Sequence, residues 1–147
     1  MRYVLLAGAM ALMAAGGAMA QNRTIEVGFA GLLERSNRTD LEPVQLTAGA
    51  MKSAGDYELL SGGYYRIDIV SDGTQEIAIE APDLFRNVWL NEVVINDLEV
   101  RPLGLDSLEF DDEGTVTISF VAIRPGQYVM RIRGTTGDTQ RANFTIR

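Results

Sequence analysis

Cysteine and histidine are both absent from this chain of 147 residues. Without cysteine there is no disulfide, no thiol nucleophile, no iron–sulfur cluster and no thiolate metal ligand. Without histidine the commonest general base and the commonest transition-metal ligand are missing, and a Ser-His-Asp triad cannot be built. Basic residues are in the minority, 13 Lys+Arg against 20 Asp+Glu. The two signs are interspersed, which describes an acidic, solvated surface with no acidic tail. An excess of acid argues against DNA, RNA or anionic lipid as a partner, because each needs a basic patch to neutralise phosphate. After residue 20 no apolar stretch is long enough to span a membrane. These absences point away from an enzyme, and no cofactor is expected.

The N-terminus reads as a secretory leader, residues 1–20. Arg2 supplies a positive charge, Val4 to Ala15 is an uncharged apolar run broken by Gly8, and Ala18-Met19-Ala20 offers small residues to a leader peptidase. The run is too short for a comfortable bilayer anchor, and Gly16-Gly17 interrupt it. Cleavage is expected before Gln21, and the short alanine-rich form is of bacterial type, so the mature protein is expected to be periplasmic or secreted. Losing the 20-residue leader takes the 147-residue chain to 127 and, with Arg2, the net charge from −7 to −8. That length suits one domain with a core of its own, held by burial alone.

Residues 21–43 form an N-terminal arm with two readings. Phe29, Leu32 and Leu33 share one face of a short helix, or Ile25-Glu26-Val27 is an edge strand; the arm either folds back over the domain or docks a partner. From Val44 the pattern is alternation with period two. Tyr65, Ile67 and Ile69 point one way; Ile77 and Ile79, Leu108 and Phe110, Val116, Ile118 and Phe120, Tyr128, Met130 and Ile132, and Ala142, Phe144 and Ile146 repeat it, with Thr115, Thr117 and Ser119 outward. This describes half-buried antiparallel strands. Turn chemistry stands between them at Ser61-Gly62-Gly63, Ser71-Asp72-Gly73, Asp112-Glu113-Gly114 and Pro125-Gly126. Many short strands with regular turns predict an all-β sandwich. The one interruption, Ala81 to Asn87, has room for a single helical turn capped by Asp83.

Residues 44–147 resemble the cupredoxin-like domains. The likeness is carried by Phe120-Val121-Ala122-Ile123-Arg124-Pro125-Gly126-Gln127-Tyr128, a strand running into a Pro-Gly-x-Tyr turn, and by Gly63-Tyr64-Tyr65-Arg66-Ile67-Asp68-Ile69 and Glu76-Ile77-Ala78-Ile79-Glu80-Ala81-Pro82. It implies a Greek-key β-sandwich and, in that family, a copper cysteine four residues after the tyrosine. Here that position is Ile132. The loop Gly134–Thr139, where the family places a histidine and often a methionine, has neither, and the upstream histidine position falls near Gln75-Glu76. The resemblance is therefore to a ligandless form, and Ile132 is expected in the core beside Tyr128 and Met130.

The expectation for function is an exported binding or interaction module with a protein partner. The candidate partner surface is Phe85, Arg86 and Trp89, on a rim segment after Pro82, because aromatic residues and arginine are favoured at interfaces. The competing placement packs Trp89 inside the sandwich and pairs Arg86 and Arg124 with acids. The alternative function is weak handling of copper or another cation by carboxylates. Consecutive acids at Asp111-Asp112-Glu113 should diverge in a hairpin turn, whereas Glu76, Glu80, Asp83 and Glu92 are candidates to converge. Beyond the leader the methionines are Met51 and Met130, and Met130 lies on a core face.

Overall fold

The computed structural model describes Ile25, residues 31–53 and residues 55–147. The expected leader, Glu26, Val27 and Phe29 lie outside the described residues. Leu32 and Leu33 sit in a turn, and Ile25 lies outside any strand with its side chain close to the Gly62 turn.

A 3-10 turn (Arg35–Asn37) leads into β1 (Arg38–Asp40), β2 (Val44–Thr47), β3 (Ala50–Lys52), β4 (Tyr57–Leu59), β5 (Tyr64–Asp72) and β6 (Ile77–Glu80). Helix α1 (Pro82–Arg86) follows. Then come β7 (Val88–Ile95), β8 (Leu98–Val100), β9 (Ser107–Phe110), β10 (Glu113–Ala122), β11 (Gly126–Ile132), a second 3-10 turn (Asp138–Gln140) and β12 (Arg141–Ile146). One sheet runs β3-β2-β5-β10-β7-β8, with β1 also on β5; the other runs β4-β12-β11-β6-β9. The result is an all-β, Greek-key sandwich of two sheets.

The alternating residues meet between the sheets. Ile67, Ile69, Ile118 and Phe120 of the first sheet face Ile77, Ile79, Met130 and Phe144 of the second, all within 2% of full burial. Ile132 is buried at 7% exposure, opposite Ile79, with Tyr128 and Met130 on the same inward face. Tyr57 and Phe144 stack with ring centroids 4.7 Å apart.

Four details differ from the sequence expectation. The pairs β1·β5, β2·β5 and β4·β12 are parallel. Parallel partners need a crossover, and alternation within a strand carries no information about one. The Asp111–Asp112 turn joins β9 to β10, which belong to different sheets, so it is an inter-sheet crossing and no hairpin. Ser119 is on the outer face yet fully buried. There β7 carries a bulge at the Ser119/Phe120 register, and the Asn91 amide donates to Ser119 Oγ (3.1 Å) and Tyr64 Oη (3.2 Å), closing over it. Finally, Asp83 is inside α1. Ala81 is the N-cap without a side-chain cap hydrogen bond, and Pro82 opens the helix with its fixed φ and missing N–H.

Two Gly-x-Tyr corners fix where β5 and β11 begin. Tyr128 Oη donates to the Arg124 carbonyl (2.8 Å), and Tyr65 Oη accepts the Leu60 N–H (2.8 Å). Each ring folds back over the preceding glycine. A Cβ at Gly126 would stand 2.8 Å from Tyr128 Oη, and one at Gly63 would stand 2.6 Å from the Tyr65 ring.

Candidate functional site

The segment after Pro82 does cross one end of the sandwich. Pairing in β6 stops at Glu80 because Pro82 has no N–H for a ladder. The five residues of α1 turn Leu84 and Phe85 inward. Asn87 closes the helix: its N–H reaches the Leu84 carbonyl (2.9 Å) and its amide the Asp83 carbonyl (2.7 Å). The Asn87 carbonyl then accepts the N–H groups of Ile123 (3.3 Å) and Arg124 (3.0 Å), which ties the end of β10 to the start of β7.

Of the three residues predicted for a partner surface, the structure leaves two on it. Phe85 is a correction. It is 7% exposed and belongs to the core cluster with Ile67, Phe120, Met130 and Phe144, buried along with its neighbour Leu84. Arg86 is exposed. Trp89 is 52% exposed, on the outer face opposite Val121, so the packing of Trp89 inside the sandwich is excluded. Neither Arg86 nor Arg124 makes an ion pair among the described residues, nor do Arg35, Lys52 and Arg131, whereas Arg38, Arg66, Arg101, Arg133, Arg141 and Arg147 do.

Ile123, 49% exposed, and Leu103, fully exposed, were missed by sequence reasoning. The signal for Ile123 was present: in the phase of Phe120 and Ala122 it points outward. Leu103 sits in an irregular loop with no phase to read. It lines a shallow groove with Phe85, Arg86, Val88, Gly104, Leu105 and Asp106.

The loop that follows Ile132, where the cupredoxin-like pattern places further copper ligands, leaves the sandwich on the side away from α1. β11 runs antiparallel to β6, with Ile132 opposite Ile79 and the Arg133 N–H on the Ala78 carbonyl, so the chain leaving β11 heads toward the Glu76 end of β6 while α1 leaves from the other end. Ile132 is an apolar side chain in an apolar core, and the residues present do not fit a blue-copper ion. In the loop after Ile132, Gln140 donates to the Gly49 carbonyl (3.0 Å), which pins it to the β2–β3 turn.

Three carboxylates do converge at that end: Glu76, Glu109 and Asp111, with oxygens within 4.8 Å of one another and all exposed. Hydrogen bonding to Glu109, and then the charges of Glu109 and Asp111, raise the Glu76 pKa above the ordinary glutamate value. The predicted grouping is different. Glu80 pairs with Arg133 (3.8 Å) and Glu92 with Arg101 (3.2 Å), and Asp83 lies on α1. Asp112 bonds its own turn, at the Glu113 N–H (2.8 Å). Glu109 lies opposite Ala78, two residues from Glu76, and Phe110 opposite Ile77, so the next residue of the chain, Asp111, comes level with Glu76.

No family model and no curated protein sequence matches this chain. Solved structures do. A multicopper oxidase from Pseudomonas thermotolerans matches with TM-score 0.57 and 16% identity over 78% of this chain and 31% of its own. A blue copper oxidase from Nitrosomonas europaea gives 0.56 and 10% over 76% and 45%. A copper nitrite reductase from the same organism gives 0.50 and 13% over 65% and 33%. This chain thus spans less than half the length of each of these proteins. At such identities the likeness is one of fold, and with the strand order and the Pro-Gly-x-Tyr corner it shows that the chain is a cupredoxin-like sandwich without the residues of a blue-copper site.

Proposed function

We propose that this protein is an exported binding module, with the sandwich as a rigid support and the α1 rim as the surface offered to a protein partner. One observation carries the reading. In a chain of net charge −7, Arg86 and Arg124 stand without an ion pair among the described residues, on a rim that also exposes Trp89 and Ile123. Aromatic and arginine side chains on a rigid support are what interface hot spots are made of, and the two unpaired arginines on this rim favour a partner with acidic groups beside an apolar anchor.

The test is site-specific photo-crosslinking in the native compartment. A photoreactive residue at position 89 is expected to give a discrete adduct that one at Gln45, on the exposed face of β2, does not. Arg86→Glu with Arg124→Glu should abolish the adduct while thermal stability stays within about 0.5 kcal/mol, as for surface positions generally. Indiscriminate labelling at both positions would remove the rim from consideration. Export is checked on the same material: the mature mass should correspond to a chain beginning at Gln21.

A second reading, weak cation handling by carboxylates, is supported by the Glu76, Glu109 and Asp111 grouping at the end where the cupredoxin pattern places metal. It predicts that calcium or copper(II) raises the melting temperature of the wild type and not of Glu76→Gln. No shift with either ion would discard it.

A further inference from the structure

The seven-stranded sheet ends in β3 on one side and in β8 on the other, and β8 is the edge whose residues are exposed throughout. β7 and β8 form a hairpin with the two-residue turn Asn96-Asp97, both at positive φ (47° and 67°), the type I′ geometry that suits a twisted ribbon. Leu98 lies opposite Ile95 and Val100 opposite Val93, so Leu98 and Val100 belong to the core-facing side. They are nevertheless 63% and 40% exposed, and Ile95 is 38% exposed. An apolar stripe therefore continues past the edge of the core. On the other face Glu99 and Arg101 lie two residues apart, their side chains 3.4 Å apart, with Arg101 also 3.2 Å from Glu92.

We propose that β8 pairs antiparallel with β8 of a second copy of this chain about a two-fold axis through Val100. The register follows from hydrogen-bond direction and charge. In a two-residue hairpin the residues flanking the turn exchange hydrogen bonds, and the backbone direction then alternates. Leu98 and Val100 thus direct their backbone groups toward β7, while Glu99 and Arg101 direct theirs outward. An incoming β8 can bond only where outward residues meet. A two-fold through Glu99 sets Glu99 against Glu99, and one through Arg101 sets Arg101 against Arg101. The two-fold through Val100 sets Glu99 opposite Arg101 twice, with Val100 facing Val100 between them. Pro102 falls opposite Leu98, at a position whose missing N–H is not on the outward side. Opposite charges in directly facing positions stabilise a pair of strands, and like charges oppose it. The occupant is a second copy because the edge is complementary to itself, which is the requirement of a two-fold interface.

The test uses the absence of native cysteine. Facing residues of a pair without mutual hydrogen bonds have Cα atoms about 4.5 Å apart, within the span of a disulfide. Val100→Cys is expected to oxidise to a covalent dimer, Leu103→Cys on the nearby exposed loop to stay largely monomeric, and Val100→Cys with Glu99→Arg to lose the cross-link. Sedimentation of the cysteine-free protein should show a concentration-dependent dimer that is lost in Glu99→Arg and regained in Glu99→Arg with Arg101→Glu. All these positions are exposed, so folding is checked by an unchanged melting transition. A monomer at every concentration, or equal cross-linking at positions 100 and 103, overturns the proposal and leaves the edge to a different chain.

Discussion

At the scale of single residues, position 132 shows how this domain differs from a copper protein. Its side chain is apolar, 7% exposed and opposite Ile79. Ile132→Asp should cost about 3–5 kcal/mol, because an unpaired carboxylate is left in an apolar site, whereas Ile132→Val should cost only about 0.5–1.5. Chemical denaturation of both variants checks this, and near-native stability in the aspartate variant would show that the β11 register is wrong. Tyr57 makes a second prediction. Burial, and then the Glu42 charge, push its phenol from 10.0 up to about 12, and its hydroxyl donates to the Glu42 carbonyl at 2.9 Å. A folded pKa above the unfolded one means the contribution is whole below pH 10 and is lost as pH rises through about 12. Stability should fall across that window, and less steeply in Tyr57→Phe; equal slopes would argue against the raised pKa. Burial of Ile132 was legible from alternation alone. Burial of Ser119 was not, because the lid over it, Asn91, arrives through a bulge in another strand.

At the scale of elements, the Gly-x-Tyr corners set the entry into β5 and β11. Gly126→Ala would bring a Cβ within 2.8 Å of a hydroxyl that is held by the Arg124 carbonyl, so ring or backbone has to move. The expected loss is about 1–3 kcal/mol, the range for overpacking. Combining it with Tyr128→Leu, which removes the obstructing hydroxyl, should make the two effects clearly less than additive; strict additivity would separate the glycine from the ring. The strands themselves were legible because alternation is a local property. The turns were legible as reversals of direction, but a reversal between β9 and β10, or between β10 and β11, changes sheet, while that between β7 and β8 does not. Turn residues report φ preferences, and the choice of sheet depends on what lies across the core.

At the scale of the whole molecule, charge is unbalanced, with 20 acids against 13 bases. The ion pairs are at the surface, where each contributes about 0–1 kcal/mol and is screened by salt. The excess of acid repels itself over longer distances and is screened as well. The second effect should win, so the melting temperature should rise on moving from low to physiological ionic strength; a fall in calorimetry would mean the ion pairs dominate. The amino-acid sequence by itself determined the all-β class, the inward faces of the long strands and the loss of every blue-copper ligand, since each is written in residue identity or in period-two spacing. Only the tertiary structure decided that Phe85 is core while Arg86 and Trp89 are surface, that the chain after Ile132 leaves β11 toward the Glu76 end of β6 and away from α1, and that Glu76, Glu109 and Asp111 meet. Those outcomes depend on which strands are neighbours and in what direction they run, and the burial that selects the neighbours comes from residues far apart in the chain.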